Sequence, residues 1–204
     1  MSSCRRYSQS IRIAALAVVL SSSGGAAAAG AGPRAGAQRS PDAAVPAGIY
    51  LGFDVGPINF IRTSGPSDPE MSIGEDFEGR IGYSFERGAE LYLSVARDAK
   101  SELGLTRSVW QLAGCAQVHF LVGRRAMLYL RGGLGFAISD NLDTPRSTQI
   151  GAGLGEVVGL GVEVRLTPEV SLGLEPFYRH AQLTNGGLDT GIHVVGVQLA
   201  IAYY

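Results

Sequence analysis

The chain has 204 residues, a formal net charge of −1, 29 glycines and a single lysine, Lys100. So neutral a chain lacks the basic footprint of a nucleic-acid binder. Its 17% of charged residues falls short of the roughly 25–35% expected on a water-soluble surface.

The N-terminus reads as an export signal. Arg5, Arg6 and Arg12 supply a positive start, Ile11 to Leu20 a short apolar run, and "SSSGGAAAAGAG" small-residue cleavage sites near Ala29 or Ala31. The run is too short for a membrane-spanning helix, which needs roughly 17–25 residues. A cleaved signal over residues 1–31 is therefore expected, followed by an Ala/Pro/Gly-rich leader over 32–47 and a folded domain over 48–204. Cys4 falls in the signal, so Cys115 alone remains and no internal disulfide is expected.

From Gly48 onward, apolar residues recur at every second position, the period of a β-strand. In chain order the stripes hold Ile49, Leu51, Phe53 and Val55; Phe77, Ile81, Tyr83 and Phe85; Leu91, Leu93 and Val95; Trp110, Leu112, Ala116, Val118 and Phe120; and Leu128, Leu130, Leu134 and Phe136. The sixth and seventh strands form one hairpin, "GLGVEVRLTPEVSLGLEPFYR" (Gly159 to Arg179), and the eighth holds Val195, Val197, Leu199, Ile201 and Tyr203. Pro176 lacks a ladder donor and predicts a bulge or irregular pairing. No stretch of the mature chain repeats apolar residues at helical spacing.

Connections alternate in length. "ERG", "VGRR" and "TPE" are short; the segments around Pro57–Asp76, Arg97–Arg107, Ser139–Ser147 and His180–Thr190 read as long loops. Pairing Phe85 with Ala89, and Leu166 with Val170, keeps the apolar faces together, and places Gly88 where a left-handed residue is favoured.

Which face is inside follows from three patterns. Phe77, Phe85, Trp110, Phe120, Phe136, Tyr178 and Tyr203 sit near stripe ends, as interfacial girdles require. Gly52, Gly82, Gly133, Gly135, Gly159, Gly161, Gly173 and Gly196 crowd the polar face, as a narrow lumen requires. That face also carries Glu78, Glu86, Glu90, Glu163 and Glu175 against Arg80, Arg131, Arg165 and Arg179, an internal charge network.

With these features the chain resembles small eight-stranded bacterial outer-membrane β-barrels of the OmpA membrane-domain type, over Gly48 to Tyr204. The resemblance implies an all-β, antiparallel, up-and-down transmembrane barrel in the outer membrane of a Gram-negative bacterium, with short turns and both mature termini in the periplasm. It implies membrane lipid and the barrel-assembly machinery as partners. Strict alternation ends at Tyr203, so Tyr204 should fall on the face of Gln198 and Ala200.

No nucleophile elbow, phosphate loop, CxxC or zinc-binding histidine spacing occurs. His119 shares the lumen face with Gln111 and Gln117 and reads as a hydrogen-bonded filler, and Cys115 as an inert core group. "SDNLDT" and "PSDPE" lack the ligand spacing of a calcium loop, so no metal and no cofactor is expected. No peptidoglycan-binding segment follows the barrel in this sequence, so that kind of anchoring is not expected. The expectation is a monomeric, non-enzymatic barrel with a packed charged lumen, structural or contacting an extracellular ligand through its long loops. Three alternatives stay open: a narrow small-molecule channel or lateral conduit, a secreted lipocalin-like soluble barrel, and a lipid-modifying enzyme using His180 or His193.

Overall fold

A computed structural model describes residues 47–64, 70–85, 88–102, 105–121, 125–139 and 151–204. The expected signal and nearly all of the leader, Glu86, and the "SDNLDT" and "PSDPE" segments lie largely outside them. Eight strands follow one another: β1 (Gly48–Ser64), β2 (Glu70–Phe85), β3 (Ala89–Glu102), β4 (Leu105–Leu121), β5 (Ala126–Ser139), β6 (Gly151–Arg165), β7 (Val170–Asn185) and β8 (Leu188–Tyr203). Each pairs antiparallel with its neighbours, and β1 pairs with β8 to close the barrel. Closure leaves no unpaired edge, which a lipid environment demands of any sheet. Among the described residues no helix is long and apolar enough to cross a membrane; the crossing is made by strands.

The short turns form where the faces match. Phe85 pairs with Ala89, and Gly88, at φ 73°, donates its N–H to the Phe85 carbonyl at 3.0 Å. At the next-to-last connection Leu166 donates to the Val170 carbonyl at 2.9 Å, and the Thr167 hydroxyl accepts from the Val170 N–H at 3.0 Å.

Side chains alternate in and out, and the apolar set is outside. On β6, Val158, Leu160, Val162 and Val164 are exposed while Val157, Gly159, Gly161 and Glu163 are buried. On β7, Leu172 and Leu174 are exposed and Ser171 and Glu175 buried. A water-soluble barrel buries its apolar stripe, so the secreted lipocalin-like alternative is set aside.

The expectation of long loops needs correction at three of the four segments; the fourth, Ser139–Ser147, lies outside the described residues beyond Ser139. β1 continues through Pro57 to Ser64 and pairs with β2 from Glu70, while β3 and β4 run on to Glu102 and from Leu105. "HAQLTNGGLDT" is strand on both sides of a two-residue turn, with Gly186 and Gly187 at φ 57° and 87° and Asn185 opposite Leu188. Two successive left-handed residues are what the tightest hairpin turn needs, and glycine supplies them without strain. Period-two apolarity fades in these extensions because their outward residues become polar: His180, Gln182 and Thr184 on β7. There the inward residues turn apolar, and Ile61, Ala137, Ala181, Leu183, Ile192 and Val194 close over Phe177.

Of the two outcomes expected at Pro176, the structure shows irregular pairing and no bulge: the β6–β7 ladder is interrupted between Gly159 and Val162. Past Pro176 the β6–β7 register is the same on both sides, with Gly159 opposite Phe177 and Val162 opposite Leu174. Proline there costs local pairing and no register shift. A register shift falls in β1 between Gly56 and Asn59, where one extra residue is inserted and Pro57 and Ile58 both face outward.

Candidate functional site: the interior charge network

Alternation on facing strands aims a set of ionised side chains into the same space. Glu78 of β2 lies at its centre, 0% exposed. Arg131 of β5 donates to it through both ends of its fork, Nη1 to Oε1 at 2.7 Å and Nη2 to Oε2 at 2.9 Å. Arg179 of β7 donates Nη2 to Oε2 at 2.6 Å, and Arg80 Nε stands 3.4 Å from Oε1.

Each arginine holds a second acid. Arg131 Nη2 lies 2.5 Å from Glu175 Oε1, and Arg80 reaches Glu175 Oε2 at 3.2 Å and Asp54 Oδ2 at 2.6 Å. Arg179 Nη1 donates to Asp98 Oδ1 at 2.9 Å and to Asp76 Oδ2 at 3.3 Å. Neutral donors add to the shell of Glu175: Tyr129 Oη gives to Oε2 at 2.7 Å and Gln198 Nε2 to Oε1 at 3.0 Å. A buried ion is tolerable only when paired and hydrogen-bonded, and the planar guanidinium fork meets two acids at once.

Glycine makes the room. A Cβ on Gly159 would stand 2.6 Å from Glu175 Oε1 and 2.8 Å from Arg131 Nε, and one on Gly161 would overlap the Tyr129 ring. Residues of this size fill the narrow interior of an eight-stranded barrel.

A second cluster lies toward the short-turn end. His119 of β4 stands between two acids, Nε2 3.3 Å from Glu163 Oε2 and Nδ1 3.7 Å from Glu90 Oε1, with the Gln117 amide 3.2 Å from Nε2. Tyr204 turns inward as its alternation requires, donating to Glu163 Oε1 at 2.8 Å and packing on Tyr50 at 5.5 Å between ring centroids.

The nine charges singled out in the sequence are therefore divided. Glu78, Arg80, Arg131, Glu175 and Arg179 meet in the central network; Glu90 and Glu163 flank His119. Arg165 is half-buried with Nη2 4.0 Å from Met127 Sδ, and Glu86 lies outside the described residues. Asp54, Asp76 and Asp98 were missed. Asp54 shares the period of Gly52 and was legible; Asp76 and Asp98 fell in segments read as loops. Cys115 is buried, with its sulfur 3.6 Å from Ser94 Oγ.

The seven girdle aromatics singled out in the sequence face outward in two groups. Phe85, Phe120 and Tyr203 close their strands at the short-turn end. Phe77, Trp110, Phe136 and Tyr178 lie farther along theirs; Phe77 meets Trp110 edge-on at 5.7 Å, and Arg97 stands 5.7 Å from the Trp110 ring centre.

Sequence comparison also finds an outer-membrane barrel. The family model described as "Outer membrane protein beta-barrel domain" matches residues 13–200. The chain belongs to this outer-membrane β-barrel family. No curated protein matches it. Among solved structures it is similar to Neisserial surface protein A, with 15% identity, a TM-score of 0.63, and 78% of this chain and 98% of that one covered. The Pseudomonas aeruginosa outer membrane protein OprG gives 12% identity and a TM-score of 0.46, covering 77% of this chain and 95% of its own. Ail, the attachment invasion locus protein of Yersinia pestis, gives 14% and 0.42, covering 74% and 97%. The family places this barrel in the outer membrane of a Gram-negative bacterium.

Proposed function

We propose that this outer-membrane barrel is a closed scaffold that presents its outer rim for contact, acting as a monomer without catalysis or conduction. The observation that carries this reading is Glu78, held at the barrel centre by arginines from β2, β5 and β7. Opening a water path there would strip partners from buried charges, which costs several kcal/mol for each uncompensated ion. The apolar group around Phe177 and Leu183 closes the same interior nearer the rim.

The contact surface follows from the corrected strands. Among the described residues it consists of polar strand extensions carrying outward Arg62, Gln182 and Thr184. Such a surface offers a partner a preformed shape and little ordering cost on binding.

The test is electrical. The full chain reconstituted in a planar lipid bilayer should give no stepwise conductance. Persistent single-channel steps would overturn the closed-scaffold reading in favour of a narrow channel.

A further inference from the structure

On β6, β7, β8 and β1 the outward residues are apolar or aromatic from the short-turn end as far as Val158, Tyr178, Val195 and Phe60. The next outward residue on each strand is Glu156, His180, His193 and Arg62. These four stand directly opposite one another in register: Glu156 against His180, His180 against His193, His193 against Arg62. Three inter-strand steps make a strip about 14 Å long. The two imidazoles stack at 4.6 Å with planes 22° apart, and the Tyr178 hydroxyl lies 2.9 Å from His193 Nδ1.

None of these groups takes part in the interior network, and closing the barrel does not require them. They form the first polar rung above the hydrocarbon-facing band, on a face that lipid must cover. Ionised groups cost far less at that depth than at the bilayer midplane. The strip is cationic at one end and anionic at the other. Arg62 offers a planar fork suited to phosphate oxygens, and the imidazoles add N–H donors beside it. The Glu156 carboxylate offers acceptors, which suit a hydroxyl or amine.

We propose that the rung Glu156–His180–His193–Arg62 binds the headgroup of a phosphorylated membrane glycolipid. The phosphate lies on Arg62 and His193, a sugar hydroxyl or amine on Glu156, and the acyl chains along Phe60, Val195 and Tyr178. Charge complementarity selects the phosphate, and the apolar band directly below selects a lipid over a free anion.

Native mass spectrometry of the full chain in detergent tests this with three probes: a phosphorylated glucosamine-disaccharide lipid, its dephosphorylated form, and inorganic phosphate. The phosphorylated lipid should be retained about tenfold more than the dephosphorylated one. R62Q together with H193Q should abolish that preference, while R97Q, on an outward residue of another rung, should keep it. The heat-dependent gel shift of a folded barrel checks each variant, and the wild-type comparison stands without them. Equal retention of the two lipids, or a preference that survives R62Q/H193Q in a folded barrel, overturns the proposal. Displacement of the lipid by equimolar inorganic phosphate overturns the lipid assignment and leaves a free-anion site.

Discussion

Arg131 grips Glu78 across the interior, from β5 to β2, with both carboxylate oxygens engaged at 2.7 and 2.9 Å. The same guanidinium also reaches Glu175 on β7, so one side chain ties three strands that are not all neighbours. Ladder hydrogen bonds join only adjacent strands. The ion pairs therefore resist a different motion, the flattening or opening of the barrel.

Arg131→Ala should destabilise the barrel by about 3–5 kcal/mol, because Glu78 and Glu175 lose a buried partner that water cannot replace. Urea unfolding in lipid vesicles measures it. An unchanged midpoint would show that the interior carboxylates are solvated and the pairs weak.

Glycines on the two faces should respond oppositely. Gly159→Ala drives a methyl into Glu175 and Arg131 and should cost about 1–3 kcal/mol by overpacking. A Cβ on Gly114, an outward residue of β4, meets nothing within 4 Å, and Gly114→Ala should stay within about 0.5 kcal/mol of the parent. Equal effects at the two positions, measured by the same unfolding assay, would contradict the assignment of faces.

Period-two apolarity made the middle of every strand legible, and the crowding of glycine and paired charge on the other face told inside from outside. Legibility failed where the chain leaves the hydrocarbon. Above Tyr178 and Val195 the pattern inverts, with His180 and Gln182 outward and Ala181 and Leu183 inward, so the strand continues while the lipid-facing signal stops. That inversion hid the extensions, and with them Asp76 and Asp98. The Asn185-Gly186-Gly187 turn is readable from turn chemistry alone, but its polar flanks give no apolar strand period to frame it. The His180–His193 stack joins two strands, so only the register could reveal it.

The central claim is that the apolar face is the outer, lipid-covered face, and the chain carries one natural reporter of it. Trp110 is the sole tryptophan and points outward on β4, 44% exposed, beside Phe77 and Arg97. Its fluorescence should be measured in vesicles whose acyl chains are brominated near the carbonyl end, and again with aqueous iodide. Strong quenching by the brominated lipid with little effect of iodide is the predicted result. Quenching by iodide with none from the brominated lipid would contradict the account.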